Sequence, residues 1–282
     1  MIRHSSFSLA SFSNLNYNHL SIMAKTDCAH CEGTGWKPVE TDGARRMVPC
    51  DCVEGERTVR LLQRARVPRR YEHCDFESFT IRKDASGAPN RSLEWAKTAG
   101  LRFVEEYPVD FGLLFVGPTG AGKTHLAVAV LRELMIRKGV ECLFYDFRDL
   151  LKEIQDSWNP VSRSSELRVL QPVLDSEVLL LDELAALNPT DWVKETLAFI
   201  INTRYNQKKV TLITTTLPFG DSGGRRDARM PSGESIPDVE RTLNQFGATL
   251  RSRLYEMCKM VQIDSDDFRK AVKQAGYRFH VE

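Results

Sequence analysis

Residues 117–124 read Gly-Pro-Thr-Gly-Ala-Gly-Lys-Thr, which fits the pattern G-x-x-x-x-G-K-[ST] in full. The chemistry such a run supports is capture of a polyphosphate. Gly117, Gly120 and Gly122 let successive backbone N–H groups turn inward around an anion, with Pro118, Thr119 and Ala121 between them, at the positive end of the helix that follows. Lys123 is expected to reach the β- and γ-phosphates, and the Thr124 hydroxyl to ligate Mg²⁺. A second run, Val178-Leu179-Leu180-Leu181-Asp182-Glu183, ends four apolar residues in two carboxylates. Asp182 there would hold Mg²⁺, largely through water, and Glu183 would act as the general base on the attacking water. A Gly-rich turn or a strand ending in solvated acids is the bland reading of either run alone. Together they describe one Mg·ATP site. Thr214-Thr215-Thr216 ends a further apolar run. A hydroxyl there could touch the γ-phosphate or the water, although three threonines are also ordinary strand formers.

A different chemistry is written near the start. Cys28-Ala29-His30-Cys31 and Cys50-Asp51-Cys52 are separated by 18 residues. Two thiolate pairs this close can close a tetrahedral Zn²⁺ site, which needs four ligands when it is structural. The turn Glu32-Gly33-Thr34-Gly35 would present the first pair. The second pair has one intervening residue instead of the commoner two, and unliganded thiols or an iron–sulfur cluster are the competing readings. His30 is expected to stay exposed. Cys74, Cys142 and Cys258 are scattered and read as small packed hydrophobes.

These groups need elements to hold them. The pattern predicts a helix over 90–107 ended by Pro108, a buried strand Gly112–Val116, and a helix from Lys123 to a stop at Gly139. A strand over Cys142–Tyr145 precedes two helices, Phe147–Trp158 and Ser165–Asp175. Strands Val178–Leu181 and Val210–Thr215 flank a helix over Pro189–Asn206. A loop over 219–238, a helix Glu240–Met257, a short strand Met260–Ile263 and a helix Asp266–Gln274 complete the reading. Alternation of strand and helix implies a mainly parallel sheet covered on both faces. The two carboxylates then fall at the C-terminal end of a central strand, where open α/β sheets bind ligands.

Composition sets the class. Of 282 residues, 42% are hydrophobic and 27% charged, an ordinary soluble mix with room for one large domain and a small module. No apolar run reaches the roughly 18 residues of a membrane span, so a cytoplasmic protein without membrane contact is expected, and the clustered cysteines agree with a reducing compartment. The formal net charge of +1 leaves nucleic-acid contact to local patches. Arg57, Arg60, Arg64, Arg66, Arg69 and Arg70 form one, and Arg225, Arg226 and Arg229 another; a solvated linker and a surface loop explain them equally well. Residues 1–23 read as a disordered tail or an over-extended start, with Met23-Ala24-Lys25 a plausible beginning and a transit peptide as the alternative.

Taken together, these motifs resemble the DnaC/IstB-like group of AAA+ ATPases, from about residue 24 to 263. Cys28–Trp36 with Pro49–Cys52 looks like the N-terminal zinc module of some helicase loaders. Val67–Tyr71 with Phe76–Phe79 looks like the family's linker, and Gly122–Ala127 like its P-loop exit. The resemblance implies an α/β P-loop AAA+ core with helices on both sides of the sheet, preceded by a zinc-binding module, and no full helical lid. It divides the chain into a tail (1–23), a zinc module (24–56), a basic linker (57–89), the core (90–264) and a C-terminal helix and tail (265–282). It also implies that Arg253 is an arginine finger reaching a neighbouring subunit's ATP. The family ends its third-motif strand in Thr-Ser-Asn. Thr216 stands here where the Asn would be, and its shorter reach puts the sensor role in question. The expected function is an ATP-dependent loader of a replicative DNA helicase onto single-stranded DNA. It would work as a homo-oligomer when ATP-bound, with ATP, Mg²⁺ and Zn²⁺ as cofactors. A transposition helper and a nucleotide-gated DNA-binding adaptor with little hydrolysis are the alternatives.

Overall fold

The runs Gly112–Gly117, Cys142–Asp146, Val178–Asp182, Val210–Thr216 and Cys258–Gln262 become strands β3 to β7 of one sheet in the computed structural model. The model describes residues 27–41, 44–83, 87–159, 165–184, 189–216 and 247–270. The terminal tail, the arginines of the 219–238 loop, the start of the helix expected from Glu240 and the end of that expected at Gln274 lie outside them. The order across the sheet is β4-β5-β6-β3-β7, and every pairing is parallel. Both faces are buried, which is why these strands read as nearly unbroken apolar runs instead of alternating ones. Leu113, Phe115, Phe144, Leu180 and Leu212 pack to one side, with α2 (Arg91–Glu106) and α3 (Lys123–Glu133). Leu114, Val116, Tyr145, Leu179 and Ile213 pack to the other, with α4 (Phe147–Ser157), α5 (Glu166–Asp175), α6 (Asp191–Asn206) and α7 (Ala248–Met257). β3 lies between β6 and β7 although it precedes both. The chain therefore reverses its direction of winding beside β3, and the crevice at its C-terminal end is the natural ligand position.

The helix starts follow local chemistry. Asn90, Asp146, Ser165 and Thr190 cap α2, α4, α5 and α6 by accepting backbone N–H bonds, each such cap being worth about 1 kcal/mol. The helix expected to run to Gly139 is regular only to Glu133. Its last turn is a π-turn, Leu134–Lys138, closed by Gly139 at φ 63°. Arg204, fully buried on α6, donates to the carbonyls of Val173, Ser176 and Val210 and to Thr211 Oγ1. Burial pushes its pKa down to about 9. The carbonyls of Val173 and Ser176 belong to the end of α5, where the helix dipole favours a cation.

The chain divides into two units, Met1–Arg57 and Thr58–Glu282. In the first, the stretch between the cysteine pairs carries regular structure for which the sequence reading named no element. It forms an antiparallel hairpin, β1 (Trp36–Thr41) with β2 (Ala44–Pro49). Helix α1 (Asp51–Arg64) then begins at the second pair. In the second unit, residues expected to form a linker are packed instead. Ala65, Cys74, Phe76 and Phe79 belong to the core. Phe144 N–H donates to Ala65 O at 2.7 Å, which covers the open edge of β4. Arg66 reaches Tyr145 and Glu153. Among the described residues no helix is long and apolar enough to cross a membrane.

Candidate functional site

The loop between β3 and α3 is Gly117–Gly122. Gly120 and Gly122 take φ of 75° and 99°, a region that favours glycine. Space demands it too: a Cβ on Gly120 would lie 1.9 Å from Asp267 Oδ1, and one on Gly122 2.7 Å from the Phe79 ring. The loop borders a cleft of about 400 Å³, lined by residues 119–125 together with Glu183 and Thr216. Lys123 is 6% exposed. Its Nζ donates to Gly117 O at 3.0 Å and Pro118 O at 2.7 Å. Burial lowers its pKa to about 8, against the pull of Glu183 and Asp182. A buried ammonium held by neutral carbonyls is an incompletely compensated charge, and a polyanion entering the cleft would supply what is missing.

The two motifs converge. Thr124 Oγ1 donates to Asp182 Oδ1 at 2.9 Å across 58 residues of sequence. Asp182 is buried, and burial raises its pKa to about 6, while hydrogen bonds from Thr214 and Thr124 oppose the rise. A hydroxyl and a carboxylate paired at a phosphate loop are hard oxygen donors that leave room for waters and phosphate oxygens, which fits Mg²⁺. Glu183 is exposed, lines the cleft and sits at φ 54°. Thr216 pairs with Gly117 and also lines the cleft. Thr215 Oγ1 is buried without a hydrogen-bond partner among the described residues. Arg253 stands apart from these residues and does not line the cleft. Its guanidinium donates to Asn202 Oδ1 and lies 5.6 Å over the Tyr205 ring.

Two cleft walls were not anticipated. One is the segment 70–82, which brings Tyr71, His73 and Phe79 to the loop. His125, the residue after Thr124, bolts it down: its Nε2 hydrogen-bonds Asp75 O at 2.8 Å, and its ring meets that of Phe79 edge-on at 5.4 Å. The signal available in sequence was Tyr71, Cys74, Phe76, Phe79 and Ile81 standing among polar residues. The other wall is the segment after β7, which carries Phe268 and Arg269. Ile263 N–H donates to Val116 O at 2.7 Å and Phe268 N–H to Gly120 O at 3.1 Å. Asn90 and Ser92 hold Asp264, and Arg82 holds Ser265 and Asp266.

In the first unit the four sulfurs of Cys28, Cys31, Cys50 and Cys52 lie within 4.8 Å of one another. Cys28 and Cys50 are 3.7 Å apart, and Cys31 and Cys52 3.5 Å. A tetrahedral ion with metal–sulfur bonds of about 2.3 Å needs sulfurs roughly 3.8 Å apart, so the donor set fits one such ion. The turn expected after Cys31 is present: Glu32 N–H donates to Cys28 O and Thr34 N–H to Cys31 O, both at 2.8 Å. Backbone N–H groups of His30 and Cys31 lower the Cys28 thiol to about 6, which favours the thiolate a metal requires.

Against known proteins, the family of IstB-like ATP binding proteins matches over residues 52–233. The phage-like element PBSX protein XkdC of Bacillus subtilis (strain 168) is 22% identical over 271 residues, 91% of this chain and 86% of that protein. The replicative helicase loader DnaC of Escherichia coli (strain K12) is 26% identical over 157 residues, 55% of this chain. The match spans only 60% of that DnaC's length. A crystal structure of the DnaC helicase loader superposes with a TM-score of 0.57 at 29% identity, covering 70% of this chain and 99% of that one.

Proposed function

The chain belongs to the family of IstB-like ATP binding proteins, DnaC/IstB-like AAA+ ATPases in fold, and on that premise we propose that it is an ATP-hydrolysing loader of a replicative helicase onto single-stranded DNA. The observation that carries the nucleotide reading is the 2.9 Å contact between Thr124 and Asp182 beside the phosphate loop. Lys123 and the loop N–H groups hold the phosphates. Thr124 and Asp182 hold Mg²⁺, which when bound supplies charge neutralisation to the leaving phosphates. Glu183 takes a proton from the attacking water. The loading step rests on the likeness to DnaC. Arg253, outside its own chain's cleft, is the finger that a neighbour in an ATP-bound homo-oligomer would receive.

The cysteine-bearing unit is the proposed grip on the helicase, with one structural Zn²⁺ holding its hairpin closed. Elemental analysis of the full chain is expected to give one zinc per chain, and Cys50→Ser to lose it along with the ordered hairpin. A metal-free protein in which that hairpin is still folded would remove the zinc from the proposal.

The loader reading is tested with the full chain, the replicative helicase of the same genome and a circular single-stranded DNA coated with its binding protein. Helicase is expected to remain on the DNA in the presence of ATP and this protein, and to be absent when either is withheld. The family match also admits a transposition helper. Capture of a transposase on duplex DNA with no helicase delivery would favour that role instead.

A further inference from the structure

We infer that Thr214 is the positioning residue that fixes the two carboxylates of the site, an inference that rests on the nucleotide-site reading above. Thr214 is fully buried near the end of β6. Its hydroxyl donates to Asp182 Oδ1 at 2.6 Å and accepts the Glu183 N–H at 3.0 Å. Its carbonyl accepts the Leu184 N–H at 2.9 Å. One residue thus holds three consecutive residues of the turn after β5.

On the β4 side the ladder holds Asp182, paired with Asp146, but on the β6 side the sheet does not do this job. The β5–β6 register runs from Val178↔Val210 to Leu181↔Ile213 and ends there, one residue short of the carboxylates. Beyond that point the path of 182–184 toward β6 is set by the Thr214 contacts. Glu183 sits at φ 54°, a conformation an ordinary side chain avoids unless its surroundings impose it. The bonds of Glu183 N–H to Thr214 Oγ1 and of Leu184 N–H to Thr214 O fix the peptides on either side of it and hold that conformation, with Glu183 lining the cleft.

The hydroxyl is used as both donor and acceptor, which no aliphatic side chain can reproduce. Asp182 Oδ1 accepts from Thr124 as well as Thr214. Thr124 and Asp182 would hold Mg²⁺, and with the Thr124 oxygen so engaged Thr214 would still donate to that carboxylate oxygen. Thr216, two residues further along the strand, lines the cleft but makes neither contact. The third-motif strand therefore acts first by shaping the acidic turn, through a residue two positions before the expected sensor.

The test uses the full-length protein and two substitutions, Thr214→Val, which keeps the shape, and Thr214→Ser, which keeps the hydroxyl. Three quantities are measured: affinity for a fluorescent ATP analogue in EDTA, the Mg²⁺ concentration that half-saturates its metal-dependent binding, and steady-state ATP turnover. Thr214→Val is expected to bind the analogue in EDTA within about twofold of the parent, because the phosphate loop is untouched. Its Mg²⁺ requirement should rise about tenfold, the factor expected for one lost hydrogen bond, and its turnover should fall further than that. Thr214→Ser should return both to within about threefold of the parent. Parental Mg²⁺ dependence and turnover in Thr214→Val would overturn the inference, and so would a serine variant as impaired as the valine one. If Thr214→Val does not fold, Thr214→Ala, which places no apolar bulk in the turn, is read by the same three measurements. A parent protein that binds no ATP would instead remove the nucleotide reading itself.

Discussion

Glu183→Gln is expected to bind ATP as tightly as the parent and to hydrolyse it about 10²-fold more slowly, or worse. The amide keeps the size and one acceptor of the carboxylate but cannot take a proton from water, and general bases contribute about 10² to 10⁴ in rate. A factor of 10² corresponds to about 2.7 kcal/mol of lost transition-state stabilisation. Geometry supports separating binding from turnover. Glu183 meets the fold through its backbone, by the bond to Thr214, so changing its side chain leaves that turn intact. Lys123, Thr124 and Asp182 keep their own contacts. The measurement is a pair: equilibrium binding of ATP and single-turnover hydrolysis. Turnover within a few-fold of the parent would show that another group activates the water.

The second large effect concerns Arg253. Arg253→Ala should bind ATP normally, since Arg253 does not line its own cleft. Turnover under assembly conditions should fall by about 10²-fold or more, in keeping with the 10³ to 10⁵ that arginine fingers supply elsewhere. Mixing supplies the decisive observation. Lys123→Ala has a crippled cleft and an intact finger, whereas Arg253→Ala has the reverse. At a mixed interface the Lys123→Ala subunit can lend its arginine to its neighbour's ATP, so some activity should return, and it should fade on dilution. In its present position the guanidinium is parked against Asn202 and over the Tyr205 ring, and the Tyr205 hydroxyl donates to Glu256 at 2.9 Å. Among the described residues, handing it to a neighbour costs the hydrogen bond to Asn202 and a cation–π contact of about 0.5–1 kcal/mol, a small loss beside the stabilisation offered by a γ-phosphate. Absence of rescue in mixtures shown by sizing to co-assemble would count against a shared site.

The parts of this molecule that could be read from its sequence are those where local pattern and tertiary position coincide. The strand before Gly117 is apolar because both of its faces are buried, and its glycines are fixed by a turn that L residues avoid. Both facts are written in the residues themselves. The placement of Asp182 beside Thr124 could be anticipated because the two ends of parallel strands share one edge of the sheet. What could not be read depended on distant partners. Segment 70–82 has no period of its own. It becomes a wall of the cleft because His125 and Gly122 offer it a seat, and neither residue announces that. Thr214 and Thr216 look alike in a row of three threonines, and the difference between them arises from where the β5–β6 ladder stops. The hairpin between the cysteine pairs was hidden for another reason. Two short strands exposed on their faces lack the buried alternation that marks a strand.

One consequence of the strand order concerns the time at which the site comes into being. The phosphate loop is made early, but its strand β3 is completed on one side by β7, and the cleft is walled by Phe268 and Arg269 just beyond it. Synthesis at about 5–20 residues per second separates these pieces by on the order of ten seconds. Throughout that interval a nascent chain carries Gly117–Thr124 on a strand with an open edge and no far wall to the cleft. Nucleotide can therefore act as a template for folding only once residues 258–269 have emerged, and a ribosome stalled before residue 258 displays the loop in a form with no built site to offer ATP.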